Sequence, residues 1–166
     1  MKIKKAIIGA LVVFAFVALA NFAVKSVFPL KYGETIARCA TEFNLSDKLL
    51  MGVIYAESGF EPMAHSGKAR GLMQITEETA KWIAEELGLE YSEEMLYSPE
   101  ANIKMGSFYL AYLIRQYKNI DTALAAYNAG MGNVSKWLKD KSYSPDGFRL
   151  TEIPYGETKR YVQRVK

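Results

Sequence analysis

The chain of 166 residues has one cysteine and one histidine, and each scarcity removes a class of explanation. With Cys39 alone, no internal disulfide can form, and a single cysteine on an apolar helix face is read as a buried side chain. With His65 alone and no cysteine cluster, the ligands for a structural or catalytic zinc site are missing. A basic body is missing too. Lys2, Lys4 and Lys5 stand in the first 24 residues without an acid, which leaves 18 of the 21 basic residues against 18 acidic ones. That balance lacks the basic stripe that tracks nucleic-acid phosphates, so no nucleic-acid partner is expected. Repeats and low-complexity tracts are also absent. Half of the residues are hydrophobic, enough to build a core, and the length suits one domain.

The N-terminal segment is the least polar part of the chain. After the three lysines, residues 6–24 run apolar, with Asn21 as the one strongly polar member, and Lys25 closes them. A bilayer core takes about 20 apolar helical residues, whereas the apolar part of a signal peptide is about 7–15 residues long. Residues 1–25 are therefore expected to form a basic N-terminus and a retained transmembrane anchor. Cleavage after Ala18-Leu19-Ala20 is the rival reading. Either way the lysines keep the N-terminus cytoplasmic, and the rest lies outside the membrane. Residues 26–32 read as a juxtamembrane connector and 33–166 as the functional domain.

Helix signals recur along that domain. Ser46 can cap a helix over 47–57, with Leu49, Leu50, Val53 and Ile54 as its apolar stripe. Thr76 can cap the next, with Glu77 and Glu78 in its first turn and Gly88 past its end. Ser98-Pro99 opens a third that should reach Tyr117. Asp121 can open a fourth through Tyr127, ended near Gly130 and Gly132. A last helix is expected over 157–165, after a loop at 141–155. No alternating strand is visible, so the expected fold class is all-α, behind one spanning helix.

Glu57 is the candidate for the chemistry, although a glutamate in this place taken alone reads first as a solvated helix-end residue. It ends an apolar helix just before Gly59 and Pro62 break it, and its spacing from Val53 and Ile54 turns it to the apolar side. An unpaired carboxylate there is costly, and the cheaper response is a raised pKa. A carboxylic acid still protonated near neutrality is what protonation of a glycosidic oxygen requires.

The surrounding residues sharpen this reading. Glu57, Ser58, Phe60, Pro62, Ala64 and Ser66, then Gly67, Gly71, Leu72, Met73, Gln74 and Ile75, resemble the signature of the soluble lytic transglycosylases, a goose-lysozyme-like family. Ala126-Tyr127-Asn128-Ala129-Gly130 looks like that family's second motif. Pro154 with Glu157-Thr158 and Tyr161-Val162 looks like its third. The three occur in the expected order across residues 57–162. One departure is that Thr76 and Glu77 follow where the family often has a proline; Thr76 can cap a helix instead.

The resemblance implies a lysozyme-like helical domain that cleaves the β-1,4 bond between N-acetylmuramic acid and N-acetylglucosamine in peptidoglycan. Glu57 would be its single catalytic acid/base. Ser66, Gln74, Tyr127, Asn128, Glu157 and Tyr161 would bind the strand. With one carboxylate in place of the usual glycosidase pair, the muramic 6-hydroxyl would be the nucleophile and a 1,6-anhydro end the product. No metal or organic cofactor is implied. The partners would be glycan strands, the membrane and some component of the cell envelope. Glu61, four residues after Glu57, is read as exposed, and Leu72 and Met73 as packing residues. Trp82 and Trp137 are expected to pack rather than face a ligand. Lys68 and Arg70 could draw in an acidic substrate or be solvated loop charges, and His65 is incidental. A goose-type hydrolase, an inactive wall-binding scaffold and a membrane assembly protein are the competing functions.

Overall fold

A computed structural model describes residues 11, 13–19 and 32–166. The chain divides into two units, Met1–Gly33 and Glu34–Lys166. In the first, residues 13–19 are helical and Phe14, Phe16 and Leu19 are exposed. Most of the apolar run at 6–24, and with it most of the expected anchor, lies outside the described residues. Among the described residues no helix is long and apolar enough to cross a membrane.

The second unit is mostly helical, and the local sequence explains where each helix starts. Helix α1 (Gly33–Phe43) buries Ile36, Cys39 and Ala40, the i, i+3, i+4 stripe of a one-sided helix. Helix α2 (Asp47–Ser58) begins where the Ser46 hydroxyl accepts the Leu49 N–H at 3.1 Å, and it ends at Gly59 in the left-handed conformation. Helix α3 (Glu77–Glu86) is capped by Thr76, whose hydroxyl accepts the Thr79 N–H at 3.2 Å. A single 3₁₀ turn, Glu93–Leu96, leads to α4 (Pro99–Tyr117), which Ser98 caps and Pro99 opens. Helices α5 (Ile120–Ala129), α6 (Met131–Lys139) and α7 (Gly156–Val165) complete the unit. Residues 141–155 form a loop between the last two, as expected.

Three expectations need correction. The unit is not purely helical: β1 (His65–Ser66), β2 (Ala69–Arg70) and β3 (Ile75–Thr76) form an antiparallel sheet in sequential order. His65 pairs with Arg70 and Arg70 with Ile75. Strands of two residues are too short to show alternation, so periodicity could not reveal them. The second correction is α6, where Gly130 and Gly132 suggested only an ending. Gly130 does break the chain, but Gly132 sits exposed in the first turn of a helix that buries Val134 and Trp137 three residues apart. The third is the cap of α5, which is Asn119 rather than Asp121; its side chain accepts the Thr122 N–H at 2.9 Å.

Helix α5 lies in the middle, packed against α4, α6 and α7. Residues Thr122 through Ala126 are all buried, five in a row, which only a helix covered on every side allows. Helices α2 and α7 also pack on each other. Their approach is set by Gly52, where any Cβ would collide with the Val165 carbonyl. Trp82 sits among the rings of Phe108, Tyr109 and Tyr112, and Trp137 is buried against Tyr155, so both pack as expected.

Candidate active site

Four pieces of chain converge on Glu57: the end of α2, the sheet segment 66–76, the end of α5, and α7. They line a cleft of about 460 Å³. All seven residues singled out from the sequence line it, namely Glu57, Ser66, Gln74, Tyr127, Asn128, Glu157 and Tyr161. Ser66 and Glu157 are exposed, while Tyr161 is buried, with 4% of its surface exposed.

Burial pushes the Glu57 carboxyl up to about 7 from the ordinary 4.5. The Tyr161 hydroxyl and the Arg164 guanidinium pull it down less strongly, and the Glu157 carboxylate raises it slightly. The Tyr161 hydroxyl is buried without a hydrogen bond of good geometry among the described residues, yet it is near enough to stabilise a charge on Glu57. Burial and the Glu57 charge hold both the Tyr161 and Tyr127 phenols well above their usual range. Both therefore remain protonated beside the carboxyl.

Several signature residues brace the site. The Ser58 hydroxyl lies 2.8 Å from the Leu72 carbonyl and 3.1 Å from that of Ile54, tying α2 to the loop at 71–74. The Tyr127 hydroxyl donates to the Met73 carbonyl at 2.9 Å, and its ring lies against Tyr109. Gln74 holds a left-handed backbone (φ 49°), which is strained for a residue with a side chain. Its Nε2 donates to the carbonyls of Ala64 and Gly71, at 3.0 and 2.9 Å, so this side chain secures its own loop while it borders the cleft. The Asn128 Oδ1 accepts the Thr158 hydroxyl at 2.8 Å, joining α5 to α7. Leu72 and Met73 are fully buried, as expected of packing residues.

Residues that the sequence left aside also matter. Asn102, almost wholly buried on α4, accepts the Met73 N–H at 2.7 Å and donates to the carbonyls of Arg70 and Leu96. It fits because Gly71 (φ 77°) has no Cβ, which would collide with the Leu96 carbonyl and the Asn102 amide. A polar residue beside Ile103 and three positions before Met105-Gly106 on an apolar helix was the available signal. Arg160 and Arg164 also line the cleft. Their helical spacing from Glu157 and Tyr161 was visible in the sequence.

The other basic residues of interest lie elsewhere. Lys68 and Arg70 border a separate groove with Glu77, Glu78 and Lys81. The Arg70 guanidinium donates to the carbonyls of Gly67 and Ala69, a brace for the hairpin turn. His65 is exposed, and so is Glu61, whose carboxylate accepts the Met63 N–H. Among the described residues no group of three or more His, Cys, Asp or Glu could hold a metal ion.

The family model described as the transglycosylase SLT domain matches residues 34–146, more than half of the chain. The chain belongs to that family. It is 39% identical over 142 residues to a putative soluble lytic murein transglycosylase of Haemophilus influenzae, covering 82% of this chain and 24% of the relative. Its fold matches an inactive mutant of the Pseudomonas aeruginosa lytic transglycosylase Slt with a TM-score of 0.75 at 36% identity, over 86% of this chain and 24% of that one. The 70-kDa soluble lytic transglycosylase of Escherichia coli matches with a TM-score of 0.73 at 33% identity, over 85% and 24%. The SLT-family unit is thus a mostly helical lysozyme-like domain that spans about a quarter of these relatives' length. Helix α7, with Glu157 and Tyr161, lies beyond the matched residues 34–146 and still forms one wall of the cleft.

Proposed function

We propose that this chain is a peptidoglycan lytic transglycosylase with Glu57 as its acid and base. The observation that carries the reading is the Glu57 carboxyl in the cleft lining, which desolvation pushes up to about 7. Such a group is about nine-tenths protonated at pH 6, and in its ionised form it remains a useful base. The reaction needs both forms in turn. Glu57 gives its proton to the oxygen bridging muramic acid and glucosamine as the bond from that oxygen to the muramic anomeric carbon breaks. The muramic acetamido oxygen covers the positive charge. The Glu57 carboxylate then takes the proton of the muramic 6-hydroxyl as that oxygen bonds to the anomeric carbon. A 1,6-anhydro ring and a free 4-hydroxyl result, the proton returns to Glu57, and no water is consumed.

The other residues have supporting roles in this scheme. Tyr161 stays neutral and steadies the carboxylate formed in the first step, while Tyr127, its hydroxyl donating to the Met73 carbonyl, holds the loop beside it. Asn128, Ser66, Gln74 and Glu157 border the strand, with Gln74 acting through the loop that it secures. The relatives' names point to the same substrate class, and 6–24 suits a single-pass anchor that holds the domain outside the cytoplasm against the wall. The test uses the full chain on purified sacculi, with mass spectrometry of what is released. Anhydro-muramic ends, lighter by one water than reducing ends, are expected from the wild type and not from Glu57→Gln. Reducing ends alone would mean hydrolysis, and equal release by both proteins would remove Glu57 from the chemistry.

A further inference from the structure

The cleft wall formed by α7 carries two positive charges that the reaction does not use. Helix α7 and the Lys166 that caps it carry four basic side chains besides the acid Glu157, and they fall into two pairs. Lys159 is bound to Glu152 at 2.8 Å and Lys166 to Asp121 at 3.0 Å, each acid on a neighbouring segment. Arg160 and Arg164 line the cleft instead, and among the described residues neither makes an ion pair or a hydrogen bond to protein. Four residues apart, they stand one turn above the other on the same face. The field of Arg164 reaches the reacting carboxyl, since its charge acts on Glu57. Among the described residues no other cation lines this cleft; Lys68, Arg70 and Lys81 border the neighbouring groove, which shares Thr76 with it.

We propose that Arg160 and Arg164 form a carboxylate-recognising pair, which makes this chain select glycan strands whose lactyl side arms carry negative charge. The proposal rests on reading the cleft as a glycan-strand site. Two guanidinium forks suit carboxylates, which they bind through charge-assisted and often bidentate hydrogen bonds. The carboxylate has two sources on a wall strand: the acidic residues of a peptide attached to the lactyl group, or the lactyl carboxylate left bare once that peptide is removed. A polymer of N-acetylglucosamine offers neither.

The test measures binding in the full-length Glu57→Gln protein, which holds strands without turning them over. Four soluble strands of equal length are compared: peptide-bearing, peptide-stripped, and a form of each with its carboxylates converted to methylamides. Glu57→Gln should bind a charged strand about tenfold more tightly than the methylamide. Adding Arg160→Gln and Arg164→Gln should erase that difference, while Arg160→Lys with Arg164→Lys should keep most of it. Whichever charged strand shows the preference identifies the source of the carboxylate. The proposal is overturned if the arginine substitutions weaken binding to the methylamides as much as to the charged strands, or leave the charged strands unaffected. Should Glu57→Gln bind no strand at all, the functional reading falls, and this inference with it.

Discussion

Replacing Glu57 by glutamine should stabilise the protein above neutral pH while it abolishes activity. The folded state holds this carboxyl at about 7, chiefly through burial, whereas in the unfolded chain it should titrate near 4.5. Below pH 4.5 both states carry the proton, and the carboxyl favours neither. As pH rises from 4.5 to 7 the unfolded chain ionises and the folded one resists, so stability drains away across that window. Above pH 7 the folded protein must house the charge. At 1.36 kcal/mol for each tenfold change in proton affinity, the full penalty is about 3 kcal/mol. Glutamine keeps the shape and never ionises, so the variant should be more stable by about 2–3 kcal/mol at pH 8 and equal to the wild type at pH 4.5. For a unit of this size that is roughly 10 °C in Tm. The assay is thermal unfolding of both full-length proteins at half-unit steps from pH 4 to 8.5. Parallel Tm curves for the two proteins would refute the reasoning, because they would mean that the carboxyl ionises as freely in the fold as out of it.

Two further outcomes follow from the same geometry. Tyr161→Phe removes a hydroxyl that favours the ionised form of Glu57, so the carboxyl should hold its proton to higher pH; the alkaline limb of kcat/KM on wall strands should move upward, and an unmoved or lowered limb would contradict the assignment. Asn102→Ala strips partners from the Met73 N–H and from the carbonyls of Arg70 and Leu96. Denaturant unfolding should show a loss on the order of 2–4 kcal/mol, although the residue borders no part of the cleft.

Much of the helical frame was legible because its signals are local. Ser46, Thr76 and Ser98 each cap the helix that follows them, and Pro99 opens α4, since a cap depends only on residues three positions away. The strands at 65–76 were illegible for the opposite reason: each is two residues long and is held by pairing rather than by pattern. Helix α6 was hidden by Gly132, which reads as a breaker until the burial of Val134 and Trp137 outweighs it. In the site, Glu57 was found from its place at the end of an apolar helix beside a family signature. Asn102 was not, because its three partners come from segments 6 to 32 residues away.

The order of residues alone determined which side chains could do the chemistry and which helices would carry them, because propensity, capping and helical spacing act within a turn or two. Only the tertiary structure decided what those side chains do. Gln74 and Tyr127 turn out to brace the loop at 71–74 as well as border the cleft. Lys159 and Lys166 are neutralised by distant acids, whereas Arg160 and Arg164 are left open to the cleft. Proton affinity and charge pairing depend on what surrounds a group in space, and α2, α5 and α7 become neighbours only when the chain has folded.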